Sequence, residues 1–307
     1  MVGKDGSMAG KKPKILRRQE SLQDRVFNLV VIGLSAIILL VVAYPVYFVL
    51  IASISNPAMV STGQVVWFPR EINLYGYEKV FQNTKMWTGY MNTIIYAFVG
   101  TLVNLAVTLP AAYALSRREF AARKILNLFF VFTMFFSGGL VATYLVIKQL
   151  GMINSRLVFI IPFCVNVYNM IIARSFFESS LPEELREAAV LDGCSHFQYF
   201  CKVVLPLSKA VISVVALYYL VAHWNDFFTG LLYIHKEQLL PLQNVLRSIL
   251  LISQTGGNGG AGATLQQSYA DQIKYAIIIV STLPVIVIYP FVQKYFEKGV
   301  MIGAVKG

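Results

Sequence analysis

Apolar residues in this chain come in long uninterrupted runs. Six stretches, about 26–51, 90–115, 125–148, 157–177, 208–234 and 273–293, each reach the roughly 20 residues that a helix needs to cross a hydrocarbon core of about 30 Å. None shows the period-two alternation of a membrane barrel strand, so the pattern predicts helices. Pro45, Pro110, Pro162, Pro284 and Pro290 fall inside these runs, where neighbouring helices can absorb a kink. The expected architecture is all-α: an integral membrane protein with a polar tail over 1–25, a six-helix domain over 26–294 and a short tail over 295–307. Between the runs lie two long connections, 52–89 and 235–272, and one shorter charged segment, 180–206.

Composition supports this. Of 307 residues 57% are hydrophobic and only 13% charged, about half the charge of a soluble domain. The net charge of +11 invites a nucleic-acid partner, but basic residues collect on the cytoplasmic ends of membrane helices, and a lipid bilayer explains them without nucleic acid. With the N-terminus inside, 18 of the 26 Lys and Arg fall on the cytoplasmic face: seven in the tail, four in 116–124, four around the charged segment and three near the C-terminus. The other face receives 8. Both termini and the charged segment are therefore expected in the cytoplasm, and 52–89 and 235–272 outside. The first apolar run is too long for a cleavable signal and is expected to stay as an anchor. Cys164, Cys194 and Cys201 have no metal-type spacing and read as small buried thiols.

The charged segment reads as two short helices. Ser180 is placed to cap the first, with Pro182 near its first position and Glu183 three residues beyond the cap. Glu183 and Glu184 suit the positive end of the helix dipole. Leu185, Ala188 and Ala189 form a small apolar face, and Asp192-Gly193 supplies a stop in which glycine takes the left-handed conformation. Ser195 can cap a second helix through Phe197, Phe200 and Val203, leading to Leu205-Pro206 and the fifth run. Two uses fit: a helix resting on lipid headgroups, or one docked in a groove of another protein, which small residues favour.

Polar residues inside the runs are the candidates for a solute path. Asp226 is the only carboxylate deep in a run and is flanked by His223, Trp224 and Asn225, with Tyr218 nearby. An intramembrane ionisable group faces the bundle interior. The alternative is a helix–helix hydrogen-bond cluster, which is also the favoured reading for Asn92, Asn104, Asn166 and Asn169. The glycine-rich "GGNGGAGA" (256–263) lacks the Lys-Ser/Thr of a phosphate-binding loop and reads as a flexible turn.

Glu187-Ala188-Ala189, Asp192-Gly193, Phe200 and Leu205-Pro206 together resemble the EAA loop of permease subunits in binding-protein-dependent ABC importers. Six runs, "HWNDFF" (223–228) and the ending "KGVMIGAVKG" (298–307) resemble the maltose-transporter type of carbohydrate permease, in its Gram-positive branch for complex oligosaccharides. Ala210 stands where many members have a second proline, and Val203 is a further departure, so the start of the fifth span is expected to bend less.

The resemblance implies a six-span type I importer permease that catalyses nothing itself and binds no cofactor. ATP and magnesium would sit in two partner ATP-binding subunits. These would contact the coupling residues Glu187, Ala188, Ala189, Asp192, Gly193, Leu205 and Pro206, and a C-terminal tail including Gly303, Val305, Lys306 and Gly307. A second, non-identical permease and an extracellular solute-binding lipoprotein would complete the assembly in a bacterial cell membrane, with the 235–272 connection touching the binding protein. Tyr218, His223, Trp224, Asn225 and Asp226 would lie along the oligosaccharide path. Rival readings are a permease for a non-sugar solute, a secondary transporter, for which one carboxylate and no repeat are poor support, and a membrane enzyme, for which three scattered histidines offer no cluster.

Overall fold

The structure, a computed structural model, describes the backbone of residues 21–255 and 261–304 and the side chains of 21–251 and 268–290. No strand occurs among the described residues. The helices are α1 (Leu22–Ser53), α2 (Pro57–Ser61), α3 (Tyr75–Gln82), α4 (Thr84–Ser116), α5 (Arg123–Phe135), α6 (Gly139–Gln149), α7 (Val167–Ser180), α8 (Glu183–Leu191), α9 (His196–Tyr199), α10 (Leu205–Leu207), α11 (Lys209–Trp224), α12 (Phe228–Tyr233), α13 (Leu242–Thr255) and α14 (Ala261–Ala304). Single 3-10 turns cover Arg156–Phe159 and Glu237–Leu239, and a π-helical turn covers Phe200–Val204.

The chain divides into two compact units after Phe48. The first holds most of α1, a helix long and apolar enough to cross a membrane, in which Tyr44 and Phe48 sit one turn apart with ring centroids 6.4 Å apart.

The second unit is organised around α4. Its buried positions, Gly89, Asn92, Thr93, Tyr96, Ala97, Gly100, Thr101, Asn104, Thr108 and Ala112, recur every three to four residues and are mostly small or polar. Its opposite face, with Met91, Ile94, Phe98, Leu102 and Val107, is exposed. This inverts the soluble pattern, as lipid requires: small residues let helices approach, and polar ones bond across them. Gly100 illustrates the closeness, because a Cβ there would lie 2.5 Å from the His223 ring on α11. Tyr219 joins the same contact through a 2.7 Å hydrogen bond between its hydroxyl and that of Thr108.

Of the six runs, three contain a single helix of crossing length: α1, α4 and residues Ser268–Pro290 of α14. The other three are interrupted. The 125–148 run is α5 and α6, whose axes meet at 112° across a break at Phe136–Gly138, with Gly139 at φ +80°. The 157–177 run opens with a 3-10 turn and an irregular stretch through Pro162, leaving α7 with 14 residues, about 21 Å at 1.5 Å per residue. The 208–234 run ends α11 at Trp224 and restarts as α12.

Both long connections are folded. Gly76 on α3 lies against α14, where a Cβ would meet the Gln272 carbonyl oxygen at 2.9 Å. The buried Gln272 side chain donates to the carbonyls of Ser55 (3.1 Å) and Asn73 (2.7 Å). In 235–272, α13 buries Leu242, Val245 and Leu246, and the Leu242 N–H donates to Thr93 Oγ1 at 2.8 Å. The glycine-rich 256–263 stretch lies largely outside the described residues.

Because His223 fills the space over Gly100, Gly100→Ala should destabilise the α4–α11 pair by about 1–3 kcal/mol. Thermal unfolding of the purified protein in detergent should show a lowered midpoint; an unchanged midpoint would mean the two helices are free to separate there.

Candidate coupling site

The first helix of the charged segment starts two residues later than its sequence suggests. Ser180 ends α7 and caps nothing: α8 begins after Pro182, with no side-chain cap. Pro182 interrupts the helix, since it disfavours helical backbone in the residue before it. The stop is as expected. Gly193 has φ +76°, its N–H donates to Val190 O at 3.0 Å, and the Cys194 N–H donates to Ala189 O at 2.9 Å. These are the paired bonds of a Schellman turn. Ser195 then caps α9: its Oγ accepts from Gln198 N at 3.2 Å, and the Gln198 side chain accepts from Ser195 N at 3.1 Å. After α10 the chain turns by 83° at Ser208 into α11, so the bend expected to weaken without a proline at 210 is fully present.

Two layers fix this segment to the bundle. The lower layer is apolar. Leu181, Tyr199, Phe200 and Val204 are buried with Leu109, Ala112 and Leu115 of α4 and Ala173 and Phe177 of α7. Tyr113 lies 5.2 Å from Phe200 and 6.2 Å from Phe177, centroid to centroid. The upper layer is ionic. Glu183 accepts from Arg186 Nε at 2.5 Å and also from Arg117, while Arg186 reaches Glu119 in the α4–α5 connection. Behind them Glu178 pairs with Arg174 at 3.1 Å and Arg123 at 3.6 Å. Together they line a polar cleft of about 740 Å³. Partial burial pushes the Glu183 carboxyl up, but hydrogen bonds and charge from Arg186 and Arg117 outweigh it and hold the group below its usual value. The hydrogen bond to Glu183 likewise raises Arg186.

The inward face of α8 is Arg186 and Ala189, both half-buried, which leaves Leu185 and Ala188 of the small apolar face exposed. Glu187, Ala188, Asp192 and Gly193 are exposed, and so are Leu191 (88%) and Phe197 (75%). Large apolar residues so exposed amid charges form a surface suited to another protein. Leu205 is half-buried and Pro206 exposed beside the bend. Cys194 is half-buried and Cys201 exposed, against the expectation of buried thiols, and all three cysteines are free.

The HWNDFF stretch is mostly tied up in internal bonds. His223 Nε2 and Asn104 Oδ1 are 2.8 Å apart, and Asn104 Nδ2 donates to Cys164 O at 2.8 Å. Trp224 is buried (5%) with its ring edge towards Tyr90, so it packs the core and offers no stacking face to a sugar. Asn225 donates to Val221 O at 2.9 Å, and Asp226 accepts from Thr229 N at 3.0 Å, capping the short α12. Asn225 and Tyr218 are exposed. Asn92 bonds across elements to Gln238 O and Leu240 O, whereas Asn166 caps its own helix through Asn169 N. Sequence reasoning missed Tyr219, whose buried hydroxyl bonds Thr108 and accepts from Asn166 N. Its one signal was a spacing of four from His223. Among the described residues no His, Cys, Asp or Glu group could hold a metal ion. Val305, Lys306 and Gly307 lie outside the described residues, and Gly303 lies in the last turn of α14.

Residues 86–302, from α4 through nearly all of α14, match the binding-protein-dependent transport system inner membrane component family. The chain belongs to that family. Protein LplC of Bacillus subtilis (strain 168) is 39% identical over 90% of this chain and 92% of its own length. The polygalacturonan/rhamnogalacturonan transport system permease protein YtcP of the same organism is 34% identical over 93% of this chain and all of its own. Among solved structures, a chain of a bacterial ABC transporter involved in import of the acidic polysaccharide alginate matches with TM-score 0.83 and 34% identity, over 91% of this chain and 99% of that one.

As a permease of this family the chain is the membrane component of its importer and not the ATPase. The two-layered junction suits that work, because a force applied to α8 reaches α4 and α7 through packed aromatics and ion pairs without a flexible linker. Glu183 and Glu119 are about half exposed, so each pair is worth up to about 1 kcal/mol. Arg186→Ala, which removes two, should speed amide exchange in 183–193 roughly tenfold, read by hydrogen-exchange mass spectrometry. Since the Glu183 carboxyl is held low, its share of the attachment is complete above the ordinary carboxylate value of 4.5 and is lost as pH falls through the lowered value. Protection of α8 that is independent of both Arg186 and acid would show that the apolar layer alone holds it.

Proposed function

We propose that this permease is one of two non-identical membrane subunits of an ATP-driven importer of oligosaccharides, with both termini and the α8–α10 segment on the cytoplasmic side. The observation that carries this is the exposed surface of α8 and its turn, presented on a rigid mount beside the 83° bend into α11. Glu187, Ala188, Asp192 and Gly193 would engage a groove of an ATP-binding subunit, with Ala189 packed behind them against the bundle and Leu205 and Pro206 setting the angle at which motion enters α11. Two such subunits would hold the ATP and magnesium. Gly303, Val305, Lys306 and Gly307 would add a second contact to them, and an extracellular lipoprotein would deliver solute. The saccharide class is supported by the named cargo of the relatives: polygalacturonan or rhamnogalacturonan for one, alginate for the solved importer. Along the path, Tyr218 and Asn225 would touch the sugar. His223 and Asp226 hold the broken helix in shape, and Trp224 backs it.

The test is reconstitution of the whole complex. Glu187→Lys and Gly193→Leu should each leave the permease in the membrane while reducing the ATPase stimulation caused by loaded binding protein at least about tenfold. The left-handed backbone at 193 makes leucine strained there whatever the space. Stimulation at the wild-type level in both variants would remove the coupling role. A homodimer of this chain that imports saccharide would remove the non-identical partner.

A further inference from the structure

Between Glu237 and Asp271 the sequence contains one charged residue, Arg247. It sits on α13, whose buried face is Leu242, Asn244, Val245 and Leu246, and its side chain is exposed. Its guanidinium lies over the Phe227 ring, 5.9 Å from the centroid, and it makes no ion pair among the described residues. Phe227 and Phe228 are themselves 42% and 49% exposed and meet edge to face at 6.2 Å. The placement is fixed from below. Asn244, one turn before Arg247 and nearly fully buried, donates to Phe227 O at 3.0 Å and fits over Gly230, where a Cβ would lie 2.3 Å from its Oδ1. So α13 is locked to the α11–α12 break, and the cation lies over Phe227, two residues along the chain from exposed Asn225.

A guanidinium without an ion pair among the described residues, set against part-exposed aromatic rings, is the chemistry that recognises a carboxylated sugar. An aromatic ring covers the apolar C–H face of a pyranose, and the guanidinium takes the carboxylate through two parallel hydrogen bonds. Arginine stays charged at any physiological pH, so the site would favour an acidic sugar under all growth conditions. A neutral saccharide would leave Arg247 without its partner.

We infer that Arg247, seated on Phe227 at the α11–α12 break, is a binding point for the carboxylate of a uronic-acid-containing oligosaccharide, and that it sets the preference of this permease for acidic over neutral cargo. This rests on the saccharide reading above and narrows it to one class of sugar and one residue.

The experiment uses the full complex with its binding protein in proteoliposomes, supplied with trigalacturonate or its fully methyl-esterified form. The readout is the ratio of acid to ester uptake at saturating binding protein. Arg247→Ala should lower that ratio about tenfold, the order expected for loss of a charge-assisted pair, and Arg247→Lys should recover part of it. If wild type carries only the acid form, its uptake is referred instead to the ATPase rate driven by empty binding protein, with the same expected fall. A ratio unchanged in Arg247→Ala, whatever the absolute rates, overturns the inference and assigns Arg247 to docking of the binding protein. Uptake of the ester but not the acid by wild type overturns it as well, while leaving the saccharide reading intact. Uptake of neither form by wild type overturns both.

Discussion

The attachment of α8–α10 to the bundle depends on one junction, where Tyr199, Phe200 and Val204 are buried with residues of α4 and α7. Burial of those three side chains is worth several kcal/mol, at about 1.5–3 each. The Arg117–Glu183–Arg186–Glu119 cluster above adds less energy and more direction, since its charges are half in water. The apolar layer keeps α8–α10 attached, and the ionic layer fixes its orientation. The π turn over Phe200–Val204 and the bend at Ser208 then carry the chain from this mount into α11, the helix most intimately packed on α4. A push on α8 is thus a push on the centre of the bundle.

That centre works by rules suited to lipid. On α4 the apolar residues face out and the glycines, threonines and asparagines face in, so contact is made by close backbone approach and by bonds such as His223–Asn104 and Thr108–Tyr219. The same choice explains why the polar HWND stretch, which looks like a ready-made solute site, is largely spent on its own architecture. Its histidine ties α11 to α4, and its aspartate restarts the helix. What remains exposed is Asn225 and the phenylalanines after it, the first of which lies under the Arg247 guanidinium of α13.

How much of this was legible in the sequence follows from what each signal encodes. Long apolar runs report burial in lipid, so helicity and the membrane were readable. They do not report breaks, so the turn at Phe136–Gly138 and the irregular entry to α7 went unseen despite Gly138-Gly139 and Pro162. The Gly193 stop and the Ser195 capping box were readable because each is a local backbone requirement met by one residue type. Ser180 was misassigned because Pro182 already excludes the helix start proposed there. What holds α8 to the bundle was not readable, because besides its neighbour Glu183 the Arg186 side chain finds Glu119, 67 residues away in sequence. Helices α3 and α13 were taken as connections, since amphipathic segments of 8 and 14 residues fall below any membrane-span pattern. The role of Tyr219 is visible only when α4 is in place beside it.

The most direct measurement is at Leu191, the most exposed large apolar side chain of the coupling surface. A photo-crosslinking amino acid placed there in the assembled complex should form its adduct with the ATP-binding subunit, with a yield that changes between nucleotide-free and ATP-bound states. Adducts confined to lipid or to another membrane subunit in both states would contradict the account, because the surface that α8 presents would then not be the one through which ATP drives the bundle.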